Sequence, residues 1–177
     1  MRFSLLMTAI VFCNICNAQQ VTDLEENKPY EYNGLQYGYF ISNEGTKEVK
    51  GEDYDRYEID LFVTNNSGCL KLIPIKSGWT GNISASEQEA AMIAEFYCTN
   101  ATGKRLTAKK GTVSAKPYYA TARIPDEYSR DRYRTVSAQI GFAIRNGQTI
   151  TSRMIVIVPR GEKPVLNCRA VYFPELQ

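Results

Sequence analysis

Tyr57-Glu58-Ile59-Asp60-Leu61-Phe62-Val63-Thr64 decides the fold class. Successive side chains of a strand point to opposite faces, so Tyr57, Ile59, Leu61 and Val63 line one side. Glu58, Asp60, Phe62 and Thr64 line the other. A helix would scatter the same four apolar residues around its axis. The period of two recurs downstream. Met92, Ala94, Phe96 and Cys98 alternate with Ile93, Glu95 and Tyr97. Val136, Ala138, Ile140, Phe142 and Ile144 alternate with Ser137, Gln139, Gly141 and Ala143. One helix competes, over Ser86 to Phe96, where Ser86 and Glu89 have the spacing of a capping box. The alternation from Met92 and its aromatic ending favour a strand there.

Between these runs lie turn clusters: Asn65-Asn66-Ser67-Gly68, Ser77-Gly78, Asn100-Ala101-Thr102-Gly103, Lys110-Gly111, Asn146-Gly147 and Arg160-Gly161. Glycine and asparagine supply the positive φ that tight turns need. Short strands with turns at this spacing predict an all-β chain, a single antiparallel β-sandwich with an immunoglobulin-like layout, over residues 34–177. No repeat, low-complexity tract or linker divides it. Gln19 to Asn33, polar and acidic around Pro29, reads as a loosely held lead-in.

Residues 1–18 read as a signal peptide. Arg2 precedes an apolar run from Phe3 through Val11 that extends to Ile15, and Cys16-Asn17-Ala18 offers a small-x-small cleavage site ahead of Gln19. The run is shorter than the ~20 residues a membrane-spanning helix needs. A lipid anchor on Cys13 or Cys16 ranks second, because Phe12 and Ile15 are bulky where a lipoprotein signal is small. The expected localisation is secreted or periplasmic, with no transmembrane segment. Losing Arg2 brings the 21 basic residues to 20 against 19 acidic. That near balance argues against bulk nucleic acid as a partner, since its binding rests on clustered cations.

Export places Cys69, Cys98 and Cys168 where disulfides persist. Cys69 opens one expected strand and Cys98 closes another, so the expected pair is Cys69–Cys98, with Cys168 free.

The mature chain holds no histidine. The usual general base, the histidine-activated nucleophiles and the commonest zinc ligand are therefore missing, and the cysteines have no C-x-x-C spacing. No Ser-x-x-Lys motif stands in. The expectation is no catalytic residue, no metal site and no cofactor. Glu52, Asp53 and Asp55 lack the spaced oxygen ladder of a calcium loop. They read as a solvated turn, or under a carboxylate-hydrolase alternative as one side of a cleft.

Cations and rings interleave from Lys104, Arg105, Lys109, Lys110 and Lys116 into Tyr118, Tyr119 and Arg123, and again at Arg130, Arg132, Tyr133 and Arg134. Such mixtures grip single strands or acidic polysaccharides, but lysines on edge strands also guard against aggregation, and that reading is preferred. Trp79, Tyr118, Tyr119 and Arg123 are the candidate binding residues. Trp79 lies among Ser77-Gly78 and Thr80-Gly81, in a loop where binding residues gather. Asn65, Asn82 and Asn100 head N-glycosylation patterns, all within turn regions.

One register can be argued in detail. A two-residue Asn146-Gly147 hairpin would set Arg153 opposite Ile140. A three-residue loop with a bulge at Gly147 instead puts Phe142 opposite Ile150, Ala138 opposite Met154 and Val136 opposite Val156. Val136, Ala138, Ile140, Phe142, Ile150, Met154 and Val156 are then expected on the core face, with Arg153 in solvent. The functional expectation is an exported non-catalytic binding or structural module for an unknown protein or glycan at the cell surface. A carbohydrate-binding module using loop aromatics is the main alternative.

Overall fold

The computed structural model describes residues 21–74, 90–103, 107–128 and 130–170. They form ten strands: β1 (Val21–Leu24), β2 (Tyr30–Tyr32), β3 (Leu35–Val49), β4 (Glu52–Asn65), β5 (Lys71–Pro74), β6 (Ala91–Cys98), β7 (Lys110–Pro125), β8 (Tyr133–Ile144), β9 (Thr149–Pro159) and β10 (Leu166–Ala170). Every pairing is antiparallel. One sheet has the order β1-β10-β6-β7-β8-β5, the other β2-β3-β4-β9. The two pack face to face as a β-sandwich. This strand order does not establish the immunoglobulin-like layout. No helix among the described residues is long and apolar enough to cross a membrane.

The deciding stretch behaves as its period dictates. Tyr57, Ile59, Leu61 and Val63 are all buried, and they meet Ile93, Phe96, Val113, Phe142 and Ile144 in one core cluster. β6 is a strand from Ala91, as its alternation demanded. A bulge between Met92 and Ala94 turns Met92 to the surface and sends Ile93 inward.

The lead-in is not loose. Val21–Leu24 forms the edge strand against β10, with Leu24 in the core, and Tyr30–Tyr32 pairs with β3. Its acidic residues hid the apolar positions that dock it. The expected Cys69–Cys98 bridge does not form: Cys69 is exposed and Cys98 and Cys168 are buried, all as free thiols. β7 and β8 lie between β6 and β5, so the strands carrying Cys98 and adjoining Cys69 are not neighbours.

The β8–β9 hairpin is also corrected. Gln148 N–H donates to the Arg145 carbonyl at 3.0 Å, and Gly147 has φ of 75° while Asn146 keeps an ordinary φ. That is a type II turn, whose twist splays the flanking strands. β8 stays in the six-stranded sheet and β9 crosses to the other, beside β4. Asn65 fixes the crossing. It is fully buried, and its side-chain amide donates to the carbonyls of Cys69 and Ile144, both at 2.8 Å. Its Oδ1 accepts from the Ser67 N–H at 3.0 Å and the Ser67 hydroxyl at 2.7 Å. Its backbone bonds Gln148 and Gly147 across the gap.

The expected core row of β8 is split by a bulge. Tyr118 pairs with Gly141 and Tyr119 with Gln139, leaving Ile140 as the extra residue. One inserted residue reverses which face the alternation serves. Phe142 and Ile144 therefore point into the core, Val136 and Ala138 land on the opposite face, and Ile140 is exposed. On β9 the expectation holds: Met154 and Val156 are buried, Ile150 packs against the core, and Arg153 faces solvent.

Candidate functional site

β7 and β8 are longer than the sheet that holds them. β6 covers β7 only from Lys110 to Ala115, and β5 covers β8 only from Ile144 to Gly141, where Pro74 ends the described strand. At Gly141 a Cβ would lie 2.4 Å from the Ile73 carbonyl oxygen, so the close approach of β5 requires glycine. Beyond that point β7 and β8 continue together. Tyr119 pairs with Gln139, Thr121 with Ser137, Arg123 with Thr135 and Pro125 with Tyr133. Not one described residue from 117 to 140 is buried. This two-stranded arm is the candidate site.

The ladder sorts its side chains. Tyr119, Thr121, Arg123, Tyr133, Thr135, Ser137 and Gln139 share the face continuous with the core-side residues Val113 and Ala115. Ala120, Ala122, Ile124, Val136 and Ala138 share the other face with Tyr118 and Arg134. Tyr118 and Tyr119, adjacent on an unbroken strand, thus point to opposite sides and cannot form a common platform. Arg123 is joined instead by Tyr133, its guanidinium carbon 5.6 Å from the ring centre. Tyr119 and Tyr133 are about half exposed, at 45% and 50%. Trp79 lies outside the described residues, as do Lys104 and Arg105. In the sequence Tyr133 stands among the interleaved basic and aromatic residues but outside the candidate binding set. Its pairing one step from Arg123 depends on the register across the hairpin.

Charge is organised differently on the arm and on the body. Arg56 meets Glu58 at 2.8 Å, Arg153 meets Asp60 at 2.6 Å, Arg160 meets Asp53 at 2.6 Å and Arg169 meets Glu95 at 2.5 Å. Among the described residues Arg123, Arg130, Arg132 and Arg134 have no carboxylate partner, although Asp126, Glu127 and Asp131 occupy the arm's tip.

The remaining candidates are structural. Lys110 pairs with Glu95, which is 2% exposed although it lies on the outer side of its sheet. Tyr97 donates to the same carboxylate at 2.8 Å and also lies 5.5 Å from the Lys110 ammonium. The hydrogen bond from Lys110 holds the Glu95 pKa below the ordinary glutamate value, outweighing desolvation. Glu52, Asp53 and Asp55 do not face each other across a cleft. Asp53 takes Arg160, Asp55 accepts the Gly161 N–H at 2.7 Å, and Glu52 accepts the Tyr54 hydroxyl. A shallow depression between β7 and β9, bounded by Lys110, Thr112, Ser152 and Arg153, has no carboxylate in its lining. No cluster of three or more candidate metal ligands occurs among the described residues. Asn65 and Asn100 use their amides in intramolecular hydrogen bonds, Asn100 donating at the surface to Glu162 at 3.0 Å and the Lys163 carbonyl at 2.8 Å. Compared with family models, characterised proteins and solved structures, the chain matches none.

Proposed function

We propose that the chain is an exported, non-catalytic binding or structural module that docks a protein or glycan at the cell surface through the β7–β8 arm. The observation that supports this reading is the arm itself. Two strands extend past their described neighbours, and among the described residues none from 117 to 140 is buried and half-exposed rings stand beside arginines with no carboxylate partner. An isolated two-stranded ribbon is marginal in water, so its upkeep needs a use that a trimmed turn would not serve. The secretory reading of residues 1–18 agrees with a surface role, and the absence of histidine from the mature chain fits binding better than acid–base chemistry.

The test is capture from the exported fraction by the mature protein and by a version in which residues 119–140 are replaced with Asn-Gly. A species retained by the first and lost by the second, with the melting transition kept, supports docking by the arm. Equal retention by both would place the binding surface elsewhere.

A further inference from the structure

Resting on that reading, we propose that the core-side face of the arm binds a linear, sparsely anionic glycan, with Arg123 gripping an acidic group and Tyr119 and Tyr133 stacking on sugar rings to either side. Tyr119 and Pro125, the partner of Tyr133, stand six residues apart on one face of β7. At about 3.4 Å per residue that spans roughly 20 Å. Arg123 lies between the two rings, over Tyr133, with Thr121 and Thr135 beside it on the same face. Tyrosine faces are apolar enough to cover the C–H side of a pyranose while the phenol stays wet. The guanidinium offers a planar fork that matches a carboxylate in two hydrogen bonds. Its position over the ring restricts it beforehand, which lowers the ordering cost of binding.

The face also argues against denser polyanions. A nucleic acid presents a phosphate at every step and draws affinity from several cations along its track. This face has one cation in its whole length, surrounded by hydroxyls. Among the described residues no wall rises beside the ribbon to enclose a small molecule, and the open face suits a chain lying along it.

The experiment is titration of the mature protein with a uronic-acid tetrasaccharide, a neutral tetrasaccharide of the same linkage, and a single-stranded oligonucleotide. Expected are saturable binding of the acidic glycan, at least tenfold weaker binding of the neutral one, and none of the oligonucleotide. Arg123→Ala should erase the preference for the acidic glycan while leaving the weak neutral binding. Tyr133→Ala and Tyr119→Ala should each weaken both sugars by tenfold or more, and all variants should melt with the parent. No binding of either sugar, equal binding of both, or tighter binding of the oligonucleotide overturns the proposal. If the arm still captures a surface species while no sugar binds, the docking role stands and the glycan assignment alone falls.

Discussion

Phe142 and Ile144 are enclosed by the sandwich, while on the same strand Val136 is half-buried and Ala138 exposed. The difference is not one of composition, since all four belong to one alternating row. Phe142 and Ile144 face β4 and β9 through the core cluster; the bulge turns Val136 and Ala138 to the outer face of the same sheet, where β7 is their neighbour among the described strands. A row of apolar residues becomes a core when a second sheet backs it. The bulge at Ile140 marks where the row changes face.

The largest test of this contrast compares truncations in the two regions. Phe96→Ala in the body should cost about 3–5 kcal/mol, because a buried ring leaves both lost transfer energy and a cavity. Ile140→Ala should stay within about 0.5 kcal/mol, as exposed substitutions do. Urea unfolding of the two variants measures both, and an Ile140 cost approaching that of Phe96 would place the arm inside the cooperative core. Asn65→Ala comes next, at about 1–3 kcal/mol, since the Ile144 carbonyl loses its donor in a buried position and the Cys69 carbonyl keeps only the Ser67 hydroxyl. A neutral result would show that the sheet crossing does not depend on that amide.

A smaller effect separates the paired charge of the body from the unpaired charge of the arm. Glu95 has a depressed folded-state pKa, so its contribution is complete above the unfolded value and is lost as the pH falls below 4.5 and on through the lower folded value. Glu95→Gln should flatten the acid side of the stability curve, followed by urea melts between pH 7 and pH 3. Arg123→Gln, whose parent has no carboxylate partner among the described residues, should leave that curve unchanged. The smallest expected effect is on reactivity. Burial raises the Cys98 thiol pKa and pushes that of Cys168 up to about 12. A water-soluble maleimide should label Cys69 alone in the native protein and all three thiols after unfolding; a thiol count of one in denaturant without reductant would reveal a disulfide.

The all-β class and most of the core were legible in the sequence because period-two burial is local: Tyr57 to Val63 needs no knowledge of its neighbours. What escaped the reading was decided by partners distant in the chain. The bulge at Ile140 exists only in the register with Tyr118 and Tyr119, and it reverses a row that reads as continuous. Asn146-Gly147 carries the hairpin signal, yet Asn65 takes up both backbone groups of the turn region and draws β9 to the other sheet. The acidic lead-in hid Leu24, Tyr30 and Tyr32, since three apolar positions among so many charges give no periodic signal. The candidate site was half legible. Tyr119 and Arg123 were named from the mixture of rings and cations, but Tyr133 becomes their neighbour only through the cross-strand ladder, and Tyr118 is excluded by the same ladder.

The sandwich should fold without the arm, and replacing residues 119–140 with Asn-Gly puts that to the test. The change joins Tyr118 to its own ladder partner Gly141 by a two-residue hairpin loop. The shortened protein should keep a single cooperative thermal transition within a few degrees of the parent. A chain that no longer unfolds cooperatively, or that melts tens of degrees lower, would show that the arm is part of the core.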